Sequence, residues 1–225
     1  MDLRQVNGHY RIDEVLKNYD LVLVDSCFFS YKTMTHPEGR RVSFDDIDIN
    51  GTIDSWENLL GLIRERNHPN PYIYSTAGVK KELYNFLKAL GNYTRFYNRI
   101  NSNGKFNSLI KLQSDLSSLI GLLPICTWPR GIKTSLENSG SQTDRSLVEA
   151  LLNNSIGYEN GEQGTIITRD SDILFLYRGA ILNSDENIRK RLLEKSSIHW
   201  YYPDRELALE KRTLDPVTHR LLGLR

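Results

Sequence analysis

The chain has too little cysteine and too few long apolar runs for several classes of protein. Cys27 and Cys126 are its only cysteines, so we expect neither a disulfide framework nor a zinc cluster. No apolar stretch approaches the length of a membrane span, and the polar N-terminus lacks the apolar core of a signal peptide. We therefore expect a cytoplasmic protein that does not contact a membrane.

Motifs for other kinds of catalysis are also missing. No Gly-Lys-Ser or Gly-Lys-Thr phosphate-binding loop is present, which argues against an NTPase. The five histidines are scattered without the spacing of metal ligands. Cys27 lies in an apolar stretch with no base placed beside it in the sequence, so we interpret it as a buried thiol and not as a nucleophile.

Composition and charge indicate one ordinary globular domain with a basic middle segment. The 225 residues are 39% hydrophobic and 25% charged, and the formal net charge is only +1. Residues 77–133 nevertheless carry nine Lys and Arg against two Asp and Glu, a balance of +7. Residues 1–76 carry eight against twelve, a balance of −4. Such an asymmetry favours a local surface that faces a polyanion.

Short apolar runs alternate with amphipathic patterns along the chain. The predicted strands are residues 21–24, 71–75, 165–168 and 197–202. The predicted helices are residues 11–19, 54–66, 77–90 and 109–123, with another from about residue 143. This alternation predicts a three-layer α/β/α domain over residues 1–225 with a central, mainly parallel sheet. We expect a basic and aromatic insertion around 91–135 and an extension after about residue 202.

Acidic side chains stand beside the apolar runs at intervals along the whole chain. They are Asp25, Glu82, Asp144, Asp170 and Asp172. Carboxylates that converge in one pocket repel each other, and Mg²⁺ or Mn²⁺ relieves that repulsion because both ions prefer oxygen ligands. The pattern therefore indicates a metal-dependent phosphodiesterase site.

The order of these acids resembles that of the PIN-domain nucleases. Asp25 ends a strand and is followed by the hydroxyl residue Ser26. Glu82 lies inside the helix that follows the second strand. Asp144 opens a helix after Thr143, and the last acids follow a strand in a Thr-x-Asp-x-Asp segment that begins at Thr168. The resemblance covers roughly residues 20–202.

The resemblance implies hydrolysis of phosphodiester bonds with one or two Mg²⁺ or Mn²⁺ ions held by the acidic residues. Either Asp170 or Asp172 would contribute, and Ser26, Thr143 and Thr168 would orient the carboxylates. RNA is the commoner target in this family, so we expect a ribonuclease. Kinship to the flap-type 5′ nucleases, which act on DNA, stays open, as do endonucleolytic or exonucleolytic action, an inhibitory protein partner and a homo-oligomer.

The basic middle segment has two interpretations. Cations could follow the phosphates of a nucleic acid; they are Lys80, Lys81, Arg95, Arg99 and Lys105. Interleaved aromatic residues could stack on unpaired bases, which favours single strands; they are Tyr93, Phe96, Tyr97 and Phe106. The alternative is a solvated face whose aromatic side chains turn toward the core.

Residues 46–57 match the pattern of a calcium-binding loop. The oxygen ligands would be Asp46, Asp48, Asn50, Thr52, Asp54 and Glu57, with Gly51 at the sharp turn. The preceding segment is not a convincing entering helix, and no second loop is present. An acidic turn that caps a helix at Asp54 is therefore the alternative. If calcium does bind here, the chain could be a non-catalytic PIN-like binding module instead of a nuclease.

Overall fold

A computed structural model describes residues 10–29, 49–66, 73–98, 104–128, 140–156, 163–202 and 208–212. Its strands are β1 (Tyr10–Arg11), β2 (Leu21–Val24), β3 (Ile73–Tyr74), β4 (Gly164–Thr168), β5 (Ser196–Tyr202) and β6 (Ala208–Arg212). Its helices are α1 (Ile12–Asn18), α2 (Ile49–Arg66), α3 (Ala77–Asn98), α4 (Gly104–Leu122), α5 (Gln142–Ile156), α6 (Ser171–Leu182) and α7 (Glu186–Lys195). No helix in these ranges is both long enough and apolar enough to cross a membrane.

The strands form one mainly parallel sheet in the order β1-β6-β5-β4-β2-β3. Strands β5, β4, β2 and β3 are parallel, whereas β6 and β1 continue the sheet in antiparallel pairs. Beyond β3, a parallel bridge joins Ser75 to Ile125. The predicted α/β class, with helices around a mainly parallel sheet, is confirmed.

The central parallel strands are buried on both faces of the sheet. Every residue of β2 and β4 is buried, and their sequences are LVLV and GTIIT. Such runs fit a strand that is covered on both sides, because neither face needs polar side chains. Helix α5 packs against β2, β4 and β5, and α2 and α3 both pack against α4. The core therefore includes α4, although the sequence predicts an insertion there.

Several helix boundaries differ from the sequence prediction. Helix α2 begins at Ile49 instead of residue 54, and α4 begins at Gly104 instead of residue 109. Helix α3 continues through Gly91 to Asn98, although the sequence predicts an end at Gly91. A glycine inside a helix costs only about 1 kcal/mol, and packing of α3 against α4 offsets that amount.

The sequence pattern does not predict some of the elements. Helix α6 is apolar around most of its circumference, so its sequence shows no helical period. Helix α7 is strongly polar and buries only Leu192. Strand β6 has the sequence ALEKR and pairs with β5, so part of the predicted C-terminal extension belongs to the sheet.

The described part of the expected calcium loop is helical. Asp46 and Asp48 lie outside the described residues, but Asn50 to Glu57 lie in α2. A calcium loop needs a sharp turn at the glycine, whereas Gly51 lies in the first turn of α2. The capping alternative is wrong, because α2 begins five residues before Asp54 and that side chain is exposed. The backbone of residues 49–57 thus has helical geometry in place of the expected loop.

Close contact between the first turns of α3 and α5 requires a glycine, and this contact yields a stability prediction. A Cβ atom added to Gly78 would lie 2.9 Å from Thr143 Oγ1 and 3.1 Å from Thr143 Cα. We expect Gly78→Ala to lower the free energy of unfolding by about 1–3 kcal/mol, because two backbones must separate.

The control is Gly61→Ala in α2, where an added Cβ meets nothing within 4 Å. We expect that variant to gain up to about 1 kcal/mol from helix propensity. Urea unfolding at neutral pH measures both changes, and equal stability of the two variants would contradict the close-contact explanation.

Candidate functional site

The carboxyl ends of the parallel strands bring the predicted acidic residues together. Asp25 directly follows β2, and Asp170 lies two residues after the end of β4. The N–H of Asp25 donates to the carbonyl of Ile167 at 3.2 Å, so the two strand ends remain paired at this edge. Parallel strands end at the same edge of a sheet, and such edges are where α/β proteins place their ligands.

Asp25 is buried and tightly hydrogen-bonded. Its side chain is only 3% exposed. The backbone N–H of Ser26 donates to Oδ1 at 2.6 Å, and the hydroxyl of Thr168 donates to Oδ2 at 2.9 Å. The thiol of Cys27 donates to the same Oδ2. The predicted orienting contacts of Ser26 and Thr168 are therefore present.

Cys27 takes part in the network in a way that the sequence interpretation missed. Its sulfur accepts a hydrogen bond from the N–H of Arg169 at 3.1 Å while the thiol donates to Asp25. Burial, and after it the neighbouring Asp25 carboxylate, raise the pKa of the Cys27 thiol well above its ordinary value of 9.0. The thiol is therefore protonated at neutral pH and acts as a donor. The position of Cys27, two residues after Asp25 in a helical turn, is the feature from which its contact with Asp25 could have been predicted.

Glu82 joins the site through Ser26. The Ser26 hydroxyl donates to Glu82 Oε2 at 2.6 Å and also lies 3.4 Å from Asp25 Oδ1. Glu82 lies in the second turn of α3, whose start is held by the Thr76 hydroxyl, an acceptor for the N–H of Val79 at 3.4 Å. The Ser146 hydroxyl of α5 donates to the same Thr76 oxygen at 2.9 Å. These contacts fix α3 against α5.

Asp144 is held by Ser141 in a reciprocal cap at the start of α5. The N–H of Ser141 donates to Asp144 Oδ2 at 2.7 Å, and the N–H of Asp144 donates to Ser141 Oγ at 3.2 Å. Thr143, the predicted partner, packs against Gly78 instead. The preceding Gly140 has φ of +71°, and an added Cβ would lie 2.7 Å from Leu176 Cδ1, so a larger residue would be strained there.

The structure distinguishes the roles of the two aspartates after β4. Asp170 is half-buried and caps α6 by accepting a hydrogen bond from the N–H of Asp172 at 2.8 Å. Asp172 is exposed. Burial raises the pKa of Asp170, and the charges of Asp144, Asp172 and Glu82 raise it further. Asp170 is thus the residue of this pair that faces the other carboxylates.

These four acids, Asp25, Glu82, Asp144 and Asp170, form what we call the acidic site. Burial raises the pKa of Asp25 from 3.8 to about 6. Donation from Cys27 and Thr168 lowers it, and the charges of Asp144 and Asp170 raise it. Burial and the neighbouring carboxylates raise the pKa of Asp170 as well. Negative charge therefore accumulates at this edge of the sheet.

The donor set fits a hard divalent cation, although the side chains are not closed around one. Among the described residues, no three His, Cys, Asp or Glu side chains are grouped closely enough to hold a metal ion directly. The available ligands are carboxylate oxygens, which Mg²⁺ and Mn²⁺ prefer, and the Cys27 thiol is protonated. Asp25, Asp144 and Asp170 could hold such an ion, partly through water molecules, with Glu82 at the margin.

The predicted phosphate-binding residues have mixed outcomes. Lys80 is half-buried, and burial lowers its pKa. Lys81 and Arg95 are exposed on α3. Arg99 and the side chain of Lys105 lie outside the described structure.

The aromatic residues of the same segment differ in their surroundings. Tyr93 packs against the core, as the alternative interpretation expects. Phe106 is half-buried, and nothing is described of the side chains of Phe96 and Tyr97. Tyr93 is therefore not an exposed platform for a base.

The raised pKa of Asp25 predicts how stability depends on pH. The folded protein holds this proton more tightly than the unfolded chain, whose aspartate titrates near pH 4. The stability that Asp25 contributes is complete below about pH 4 and is lost as the pH rises through about 6. From pH 4 to pH 7, we expect the wild type to lose roughly 2 kcal/mol more than Asp25→Asn loses.

Urea unfolding in EDTA at several pH values measures this difference, because the other titrating groups are the same in both proteins. Parallel stability curves for the wild type and Asp25→Asn would contradict the burial of this carboxylate.

Thr168 provides a second prediction, because its hydroxyl both donates to Asp25 and accepts from the N–H of Asp170 at 2.9 Å. Thr168→Val keeps the shape but removes both bonds, so we expect a loss of about 1–3 kcal/mol in the free energy of unfolding. Thr168→Ser keeps the hydroxyl and serves as the control. If the valine variant were as stable as the serine variant, the hydroxyl would not support the site.

No protein-family model, curated protein or solved structure matches the chain. Membership of the PIN-domain family stays a prediction from the ordered acidic motifs.

Proposed function

We propose that the protein is a PIN-like, divalent-metal-dependent nuclease that hydrolyses phosphodiester bonds in single-stranded RNA. The observation that supports this function is the convergence of Asp25, Asp144, Asp170 and Glu82 at one edge of the parallel sheet. Crowding of buried or half-buried carboxylates is unfavourable for folding alone. A site that binds cations explains why the charges stand together.

The supporting residues give each carboxylate a defined orientation. Thr168 and Cys27 hold one oxygen of Asp25, and Ser26 connects Asp25 to Glu82. The N–H of Ser141 donates a hydrogen bond to Oδ2 of Asp144. Bound Mg²⁺ or Mn²⁺ would activate water and stabilise charge on the phosphate. The chain's own contribution is a set of carboxylates oriented by hydrogen bonds, around which a hydrated cation could bind partly through its water molecules.

The exposures of the carboxylates suggest different tasks. Asp25 is buried, and donors to both of its oxygens hold its carboxylate in one orientation. Asp170 is half-buried and keeps an accessible oxygen, because only Oδ1 accepts from Asp172. Asp170 could therefore contact the cation or a water molecule bound to it. Hydrolysis adds that water across the P–O bond and releases a phosphate monoester and an alcohol.

The rival function, a calcium-binding module, receives less support. Its loop would need non-helical backbone at Asn50 and Gly51, and both residues lie in α2. Convergence of the acidic residues that the nuclease requires favours catalysis over a fold kept only for binding.

The decisive experiment is a cleavage assay with labelled single-stranded RNA and DNA in Mn²⁺, Mg²⁺, Ca²⁺ or EDTA. We expect cleavage of RNA with Mn²⁺ or Mg²⁺ and not with EDTA. Asp25→Asn and Asp144→Asn should each lower the rate by about 100-fold or more, because each removes a charged ligand.

Asp13→Asn is the matched control, since Asp13 lies in α1 and pairs with Arg11 on the surface. The control should cleave as the wild type does. A second measurement is the melting temperature at pH 7, which Mn²⁺ should raise for the wild type but not for Asp25→Asn. Folded wild-type protein that neither cleaves any substrate nor responds to Mn²⁺ would overturn the proposal.

A further inference from the structure

The outer face of α3 carries charge of one sign. The helix contains four basic residues and one acidic residue, and that acid, Glu82, accepts a hydrogen bond from Ser26 in the acidic site. Among the described side chains of the helix, the exposed polar and aromatic ones are Lys81, Tyr84, Asn85, Lys88, Asn92 and Arg95, which we call the α3 stripe. The acidic charge of α3 therefore faces the site, and the stripe presents basic charge to solvent.

The cations of the α3 stripe are aligned along the helix. Lys81, Lys88 and Arg95 follow each other at intervals of seven residues, which is close to two helical turns. At a rise of 1.5 Å per residue, neighbouring cations are about 10 Å apart and the row is about 21 Å long. None of these three forms an ion pair with another residue in the described ranges. A row of unpaired cations suits an extended polyanion.

An exposed aromatic ring lies within this row. Tyr84 follows Lys81 by one helical turn and is 56% exposed, although large aromatic side chains normally contribute to a core. Asn85 and Asn92 add polar groups that can donate and accept hydrogen bonds. An aromatic ring between cations is the combination that binds unpaired bases, because a base stacks on the ring while phosphates meet the cations.

The α3 stripe begins beside the acidic site. Lys81 and Glu82 are adjacent in the chain, and Glu82 reaches Ser26 at 2.6 Å. The N-terminal end of α3 is fixed there by its close contact with Thr143 and by the Thr76 cap. A strand that lies along α3 would therefore have one end next to the carboxylates.

We propose that the α3 stripe binds single-stranded nucleic acid and leads it to the acidic site. Lys81, Lys88 and Arg95 contact phosphates, and Tyr84 stacks on a base near the cleaved bond. This inference rests on the proposed nuclease function for the direction of the strand. Tyr84 takes the stacking role that one interpretation of the sequence gives to Tyr93, because the ring of Tyr93 packs against the core. Lys88 is an additional contact to phosphate.

The test measures binding without cleavage, by fluorescence anisotropy of labelled single-stranded RNA, single-stranded DNA and duplex in EDTA. Tyr84→Ala should weaken binding of single strands about tenfold, whereas Tyr84→Phe keeps the ring and should stay within about twofold. The triple variant Lys81→Gln, Lys88→Gln, Arg95→Gln should reduce the slope of log affinity against log salt by about 2.

The control is a second triple variant, Arg11→Gln, Lys17→Gln, Lys190→Gln, which removes the same charge from positions on β1, α1 and α7. The salt slope of this control should match that of the wild type. The proposal would be overturned if both triple variants reduced the salt slope equally. It would also be overturned if duplex bound more tightly than single strands, or if Tyr84→Ala had the affinity of the wild type.

Cleavage assays of the same variants separate this inference from the proposed function. Binding that depends on the stripe, without cleavage in any metal, would support the stripe and overturn the nuclease. Cleavage that requires Asp25 but is unchanged in Tyr84→Ala and in the stripe triple variant would support the nuclease and overturn the stripe. Comparison of RNA with DNA shows whether the sugar contributes to recognition.

Discussion

Burial of the Asp25 carboxylate is the constraint on which the rest of the site depends. A buried carboxylate is unfavourable unless its oxygens accept hydrogen bonds. Its donors come from the turn after β2 and from Thr168 at the end of β4. Both strands must therefore end at the same level, and the segment after β4 is drawn toward Asp25. The placement of Asp170 follows, because its N–H donates to the Thr168 hydroxyl.

Helix ends compensate part of the negative charge of the acidic site. Asp170 caps α6, and Asp144 lies in the first turn of α5. Each helix N-terminus is equivalent to roughly half a positive charge, which favours a nearby carboxylate. The same two acids thus begin helices and contribute charge to the site. The same residues therefore meet the requirements of local folding and form the acidic site.

Local sequence pattern is sufficient to predict part of the fold and part of the site. Strands β2 and β4 are continuous apolar runs, and the alternation of strands with helices places the acids that follow them at a common edge. Tertiary contacts decide the rest. Helix α3 passes Gly91 because it packs on α4. The sequence of α6 shows no helical period because its exposed face also carries an apolar residue, Phe175. Ser141 instead of Thr143 holds Asp144, since Thr143 fills the space beside Gly78.

The hydrogen bond between Thr168 and Asp25 joins residues that are 143 positions apart in the chain. A ribosome must therefore release most of the protein before this bond can form, and contacts of such long range are slow to form. Strand β2 cannot pair with β4, its neighbour in the sheet, until β4 has been synthesised. Assembly of the carboxylates is thus a late event in folding. A nascent or truncated chain that ends before β4 would lack both the Thr168 hydroxyl and Asp170, so its acidic site would be incomplete.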